Sequence, residues 1–558
     1  MQRFHWLRNP WYWLAFGLLA VAIRGLFLDV MDVDASQYAS MAMEMMQDGS
    51  WLEVKHRHGD YLDKPPLLFW SSAASFTLFG LSNWAYKLPS FLAALAGVYA
   101  VYRFARLYYS HDTARNAAFI LASSLGFVLI LNDVRTDTLL LAFTACTVWQ
   151  LAAYQEGRQW RHLLGAGVFG GLALLAKGPI GLVMPVFALG THLLLRRDWR
   201  AIFRWQWLAP LTVAGILLLP MCWGLYQQFD MQPQKVFNGR TGVSGLRFYF
   251  WEQSFGRITG ESEWKNDSSP FYFLHIYLWA FLPWSLLLIG ALGRRFRELY
   301  AQKLRLPAGD EAYSIGGFVL TFFALSLSRY KLPHYIFITL PWAAVLTARF
   351  LALVPRRIWL WGLYLSAAIL LLLAILMATF VFPGGNPVFG AMLLTIVGYW
   401  IYAIIRSPFP ENTNQWVQRG VLAMVAAAFV LNFHFYPNLL PYQSTSKAMH
   451  YAKQKGIPAD KLAHFRRHGH ALDFYAGRIL PQMDSPEQVL ATRAAQGALW
   501  LYTTEEGKEE LEKAGVPFRE ELRLDHFQVA LMKPGFLNPD TRFKVLKPVY
   551  LLEILANR

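Results

Sequence analysis

The sequence predicts an all-α polytopic membrane protein with a small α/β soluble domain at its C-terminal end. Three observations predict it. Of 558 residues, 55% are apolar and 16% aromatic while only 16% are charged, against about 25% charged in an ordinary soluble domain. That balance excludes one large water-soluble enzyme. The apolar residues gather in runs long enough to cross the roughly 30 Å of bilayer hydrocarbon. The excess of 52 Lys and Arg over 36 Asp and Glu collects in alternate loops, the pattern of a cytoplasmic membrane face and not of a nucleic-acid footprint. The two cysteines, Cys146 and Cys222, lie inside apolar runs, which excludes a disulfide framework and a cysteine-ligated zinc site.

Thirteen runs approximately satisfy the length test: 11–28, 89–108, 115–132, 137–155, 163–177, 179–195, 208–226, 272–292, 312–328, 332–352, 357–382, 388–405 and 416–435. Arg3 and Arg8 precede Trp11-Tyr12-Trp13 without a small-residue cleavage site, so the first run reads as a retained anchor with an aromatic belt. The stretch Leu67–Leu81 is apolar too. If it lies along the outer surface, one side of the membrane holds 20 basic residues against seven acidic ones. If it crosses, Arg103 and Arg106 fall outside and the alternation fails. The expected topology is therefore N-terminus in, C-terminus out. Residues 1–435 form the membrane domain, with a first outer loop at 29–88 and a large outer loop at 229–271. Residues 436–558 form an outer soluble domain, in which short apolar runs (499–502, 527–532) alternate with a helical pattern at 505–514. His464, His468 and His470 read as a solvated turn in preference to a metal site, since no Cys or acidic partner stands at ligand spacing.

Polar residues that interrupt the apolar sequence converge on the outer side. The segment 29–64 carries eight carboxylates against three cations. Asp32 and Asp34 precede a Met and Ala stripe at 35–46 that suits a helix lying in the interface. Asp34 is both a candidate N-cap for that helix and a candidate base. Asp63-Lys64-Pro65-Pro66 opens the second surface helix, with Lys64 beside its positive end, where phosphate can be cradled or the lysine can simply snorkel. Asp133-Val134-Arg135-Thr136-Asp137 forms a short outer turn, in which Asp137 caps the next span or faces a cavity. Lys177 and Lys331 are delivered to the same face by two further turns. Arg24, within the first span, calls for an acidic partner, with Asp29 and Asp32 the candidates. Trp51, Tyr61, Trp251 and Trp264 either stack on sugar or belong to interfacial belts.

These motifs resemble those of the C superfamily of membrane glycosyltransferases. The residues that carry the resemblance are Asp32/Asp34 with Tyr38, Asp63-Lys64-Pro65-Pro66-Leu67, Arg135-x-Asp137, Leu175-Ala176-Lys177-Gly178-Pro179 and Lys331-Leu332-Pro333-x-Tyr335, in order over about residues 1–350. The chain is most similar to bacterial aminoarabinose lipid A transferases and their protein O-mannosyltransferase relatives. The resemblance implies a sugar donor on undecaprenyl phosphate, Asp34 and Asp137 as catalytic acids, and Lys64 on the donor phosphate. It also implies a bacterial inner membrane with the soluble domain in the periplasm. There are departures: Asp63 stands where the family often has Glu, and no histidine occurs in 263–271, where some relatives place a metal contact. No cofactor is expected to be required beyond the lipid-linked sugar itself, no metal ligand is assigned, and dependence on a divalent metal stays open.

The chemistry expected is a single displacement with inversion. Asp34 accepts the acceptor's proton, Lys64 with Arg135, Lys177 or Lys331 stabilises the departing phosphate, and Asp137 orients the acceptor or a neighbouring cation. Asp32, Asp63, Tyr38 and Tyr335 support. The acceptor is a lipid or protein hydroxyl or phosphate, with lipid A preferred and a protein acceptor the alternative. A transporter of lipid-linked sugar is the rival from another class; it would show internal repeats and charges at the midplane, and the sequence shows neither. Membrane lipids are partners; nucleic acid is not.

Overall fold

In a computed structural model of the chain, residues 9–253, 256, 266, 268–353 and 357–556 are described. Arg3, Arg8, and residues 263–265 and 267 of the stretch 263–271, Trp264 among them, lie outside them. The chain is mostly helical. Helix α1 (Pro10–Leu26) starts where the Asn9 side chain accepts the Trp11 amide (3.1 Å) and proline fills the first position. Helix α2 (Asp34–Asp48) follows, and after a small hairpin of β1 (Lys55–His56) and β2 (Gly59–Asp60) comes α3 (Leu67–Phe79). At 13 residues α3 is about 20 Å long, too short to cross. It packs on α2 and on α4 (Asn83–Tyr108).

The stripe of α2 does not face lipid. Ala35, Ala39, Met41, Ala42, Met43 and Met45 are buried, against α3 and against the helix His470–Ala476 of the outer tail. The expectation of an interfacial helix is corrected accordingly. The stripe had a protein surface to meet, and one element lay more than 400 residues away.

The span expected over 115–132 is built as a broken pair, helices α5 (His111–Ala122) and α6 (Leu125–Asn132), bent by 52° at Ser123-Ser124. Both serine hydroxyls donate to backbone carbonyls one turn back, Ser123 to Phe119 (2.5 Å) and Ser124 to Leu121 (2.9 Å). The Leu125 amide leaves the helix ladder for the Leu282 carbonyl (3.0 Å). The span expected over 272–292 is likewise two helices, Tyr272–Ala280 and Ser285–Ala301. The second carries Arg295 into the interior at 1% exposure, so this cation is not part of an open loop.

Helices α7 (Thr136–Gly157) and α8 (Trp160–Lys177) pack side by side and against α4 and α9 (Ile180–Arg196). Among the described residues six helices are long and apolar enough to cross a membrane: Asn83–Tyr108, Trp199–Asp230, Pro333–Leu353, Arg357–Val381, Pro387–Arg406 and Thr413–Gln443, with the bent pair α5–α6 a seventh if it is one span. Pro10–Leu26, α9 and Tyr313–Ser326 are apolar but shorter.

The large loop carries a second hairpin, β3 (Val236–Phe237) with β4 (Arg240–Thr241), and the tail carries a five-stranded mixed sheet in the order Gln482–Met483, Leu462–Phe465, Trp500–Thr504, Lys547–Ile554 and Phe518–His526. Its strands are β5 (Leu462–Phe465), β6 (Gln482–Met483), β7 (Trp500–Thr504), β8 (Phe518–His526) and β9 (Lys547–Ile554). β5 is parallel to β6 and β7; β9 is antiparallel to β7 and β8. Strand periodicity sends Val549 and Leu551 to one face, with Met449 and Leu472 of two helices, and Tyr550 and Leu552 to the other, with Val489 and Leu511 of two more. The sheet is thus covered on both sides.

Candidate active site

A cavity of about 450 Å³ opens where the first outer loop meets the ends of α7 and α8 and the turn before Pro333. Eight of the ten residues singled out by sequence line it: Asp34, Tyr38, Asp63, Lys64, Arg135, Asp137, Lys177 and Tyr335.

Asp34 is the first residue of α2, and it makes no cap. Nor does Asp32 cap it, since no side chain accepts the first helix amides and Asp32 binds hydroxyls instead. Its Oδ1 accepts the Ser36 hydroxyl (2.5 Å) and its Oδ2 the Thr445 hydroxyl (2.8 Å). Burial pushes the Asp32 carboxyl up, and the two hydroxyls oppose the shift. Asp34 turns into the cavity, where its side chain is 40% exposed and pairs with Arg135. Arg135 also donates Nε to Asp133 (2.7 Å). Its burial would lower the guanidinium's affinity for its proton, but Asp133 and Asp34 outweigh it and hold Arg135 above its ordinary value. One cation therefore bridges two carboxylates.

Asp137, in the first turn of α7, is enclosed at 4% exposure. Its Oδ1 accepts Lys177 Nζ (2.5 Å), and the ammonium lies 4.0 Å from the centre of the Tyr335 ring. His334 Nε2 stands 3.7 Å from the other carboxylate oxygen. Lys64, next to Pro65-Pro66, pairs with Asp63 and is 14% exposed. Tyr38 and Tyr61 close the floor, their rings 5.8 and 6.1 Å from Phe69. Burial pushes both phenols well up, so they serve as neutral hydrogen-bond groups. The first loop is seated against the helix before the large loop at Gly224, where any Cβ would collide with the Leu52 carbonyl.

Two expected site residues are elsewhere. Asp32 faces the tail, as described. Lys331 donates to the Ser268 carbonyl (3.1 Å), and its backbone is bonded to Asn266, so it braces the large outer loop. Arg24 meets neither Asp29 nor Asp32; its guanidinium lies 5.7 Å over Phe433. The buried cation that the sequence reading passed over is Lys87, which donates to the Gly25 (3.0 Å) and Leu28 (2.9 Å) carbonyls at the end of α1. Its signal was a lone lysine in an apolar helix. His334, His56, Arg240 and Glu252 also line the cavity. Trp51 and Trp251 do not, whereas Tyr61 does.

Of the three histidines expected in a solvated turn, His468 is exposed in a loop, whereas His464 and His470 are buried. His464 is fully buried with its Nε2 2.9 Å from Asp473, and His470 is 8% exposed with its Nδ1 3.2 Å from His56. The acid expected to be missing is Asp473, placed one helix turn beyond His470. As for metal, Asp63 is engaged by Lys64. Among the described residues one cluster, Glu44, Asp48 and His58, gathers three ligand atoms within 4.8 Å, and the Glu44 oxygens already accept the Arg57 (2.9 Å) and His58 (2.6 Å) amides.

A family model described as dolichyl-phosphate-mannose-protein mannosyltransferase matches residues 63–224. Among curated proteins, an undecaprenyl phosphate-alpha-4-amino-4-deoxy-L-arabinose arabinosyl transferase of Edwardsiella ictaluri is 26% identical over 427 residues, 71% of each chain. One of Sodalis glossinidius is 28% identical over 407 residues, 70% of this chain and 68% of its own. Among solved structures, ArnT from Cupriavidus metallidurans bound to undecaprenyl phosphate superposes with a TM-score of 0.74 at 19% identity, over 98% of this chain and 99% of that one. Its apo state gives 0.71 at 18% identity. Family model, relatives and fold together mark the chain as a glycosyltransferase similar to the protein mannosyltransferases and the undecaprenyl phosphate-aminoarabinose transferases.

Proposed function

We propose that the enzyme transfers a sugar from undecaprenyl phosphate to lipid A at the outer face of a bacterial inner membrane, with inversion at the anomeric carbon. The observation that carries this reading is a cavity whose most exposed carboxylate, Asp34, stands among Lys64, Arg135 and Lys177. The relatives named as arabinosyl transferases, and a solved structure titled as bound to undecaprenyl phosphate, supply the donor and the sugar class.

In the proposed step, Asp34 takes the proton of the attacking hydroxyl, or orients an acceptor that is already ionised, while the new glycosidic bond forms. The bond from the anomeric carbon to the phosphate oxygen breaks, and its electron pair leaves on undecaprenyl phosphate. Lys64 and Arg135 stabilise that charge where little water screens it. Asp137 is neutralised by Lys177 and orients this cation beneath Tyr335. These fixed cations do the work that a divalent metal would do, so transfer is expected to persist in EDTA. The protein-acceptor reading keeps the same step and is favoured by the description of the family model over 63–224.

The finer topology belongs to this reading: thirteen crossings, N-terminus cytoplasmic, residues 1–435 catalytic and 436–558 a periplasmic soluble domain. Cavity residues at one end of the helices and the basic loops at the other support it. The deciding experiment incubates purified enzyme with labelled undecaprenyl phosphate-aminoarabinose and lipid A. Labelled lipid A and released undecaprenyl phosphate are expected. Release without labelled lipid A, with label on a protein, would move the acceptor to the second reading.

A further inference from the structure

The hairpin β1–β2 and the irregular segment running on to Lys64 make one wall of the cavity, with His56, Asp60, Tyr61 and Lys64 lining it. This wall is weak by itself. The hairpin has only two residue pairs, and its turn places Arg57 (φ 53°) and His58 (φ 63°) in the left-handed region, which costs roughly 1–2 kcal/mol per non-glycine residue. Glu44 of α2 secures the two turn amides from within the membrane domain.

The rest of the support comes from the tail. The Arg57 guanidinium reaches Asp473 and donates to the Leu480 carbonyl (2.7 Å). Asp473 is fully buried, and it also accepts His464 Nε2 (2.9 Å) and the Leu480 amide (3.0 Å). His56 meets His470. The tail also holds the entrance to the loop. Gln443 donates to the Val30 carbonyl (2.9 Å), Tyr475 accepts the Val30 amide (2.9 Å), and Thr445 holds Asp32. The segment carrying Asp34 and Lys64 is therefore tied to the tail at both ends.

We propose that Asp473 is a positioning residue for the transfer reaction: through Arg57 it fixes the cavity wall that presents Lys64, which makes the outer tail part of the catalytic unit. This rests on the cavity being the transfer site. The test uses the full chain in nanodiscs, with amide hydrogen exchange and steady-state kinetics read together. Arg57→Gln breaks the tie from the loop side and Asp473→Asn from the tail side. Both are expected to speed exchange over 55–64 at least about tenfold and to lower kcat about 10- to 100-fold, the cost of a small misplacement, with a smaller rise in donor KM. Exchange of β7 should not change, and Glu510→Gln, which removes a surface pair with Arg466, should leave kcat unaltered. Where Asp473→Asn also loosens β7, Arg57→Gln decides. Unchanged exchange over 55–64, or faster exchange with kcat within about twofold of the parent, overturns the proposal. A parent enzyme that transfers no sugar overturns the functional reading instead, and the exchange rates then still decide whether the tail holds the wall.

Discussion

Two clusters of charge lie at opposite ends of the helices and are built from the same residue types. At the cavity, Arg135, Lys177 and Lys64 meet Asp34, Asp137 and Asp63. At the other end, Arg295 donates to Asp310 (2.8 Å), Arg349 and Arg294 each donate to Glu298 (2.6 Å), and Glu311 accepts Tyr109 (2.7 Å) and Ser314 (2.5 Å). The second cluster is closed at its centre, with Arg295 at 1% and Glu311 at 0% exposure, and its most exposed carboxylate, Glu298, reaches only 20%. The outer one leaves Asp34 40% exposed. Pairing alone therefore does not distinguish structure from catalysis. What distinguishes them is whether a carboxylate can still be reached by a third party.

The comparison breaks most sharply at Asp34. Asp34→Asn is expected to lower kcat by about 10²–10⁴-fold with the melting temperature nearly unchanged; an active variant would remove Asp34 from the role of base. Arg295→Met should do the opposite, destabilising the chain by about 3–5 kcal/mol, because it leaves buried carboxylates uncompensated. Thermal unfolding in detergent measures this, and surviving protein at low temperature should transfer sugar normally. Smaller is the coupling between Asp137 and Lys177. Asp137→Asn and Lys177→Met should each reduce kcat/KM, and the double variant should cost less than their product, by an interaction energy of about 1–3 kcal/mol in a double-mutant cycle. Additive losses would show that the two act separately.

The smallest effect concerns acid. Burial first, then Arg57, pushes His56 down to about 4, and burial with His56 and His468 pushes His470 down to about 3, with Asp473 opposing both. A folded-state value below the ordinary one of about 6.5 means that protons favour the unfolded form, so stability is whole above that pH and falls as pH drops from there towards 4. The loss should be at most about 1.4 kcal/mol per pH unit for each of the two histidines, measured as melting temperature between pH 7.5 and 5. His470→Gln should flatten the profile.

The outer cluster was legible in the sequence because Asp34, Lys64, Asp137, Lys177 and Tyr335 each stand where an apolar run meets a polar turn, and membrane topology then forces them to one face. Asp32 and Lys331 stand at such boundaries too and were misplaced. Their partners, Thr445 and the Ser268 carbonyl, lie 413 and 63 positions away, and no local pattern announces such pairs. His470 failed for the same reason, since His56 comes from another part of the chain. The break at Ser123-Ser124 was hidden because both halves are apolar, so hydropathy continues through a bend that only hydrogen bonding reveals.

The bridging of Asp34 and Asp133 by one guanidinium has a consequence for ionic strength. The carboxylates lining the cavity, Asp34, Asp60, Asp63, Asp137 and Glu252, outnumber its cations, Lys64, Arg135, Lys177 and Arg240, by one. Such a surface exerts little long-range pull on an anionic headgroup. A phosphate arriving there gains by exchanging partners at contact distance, where added salt screens poorly. Donor affinity should thus change only slightly between dilute and concentrated buffer, and selection among lipids would rest on how the headgroup fits and not on how strongly it is charged.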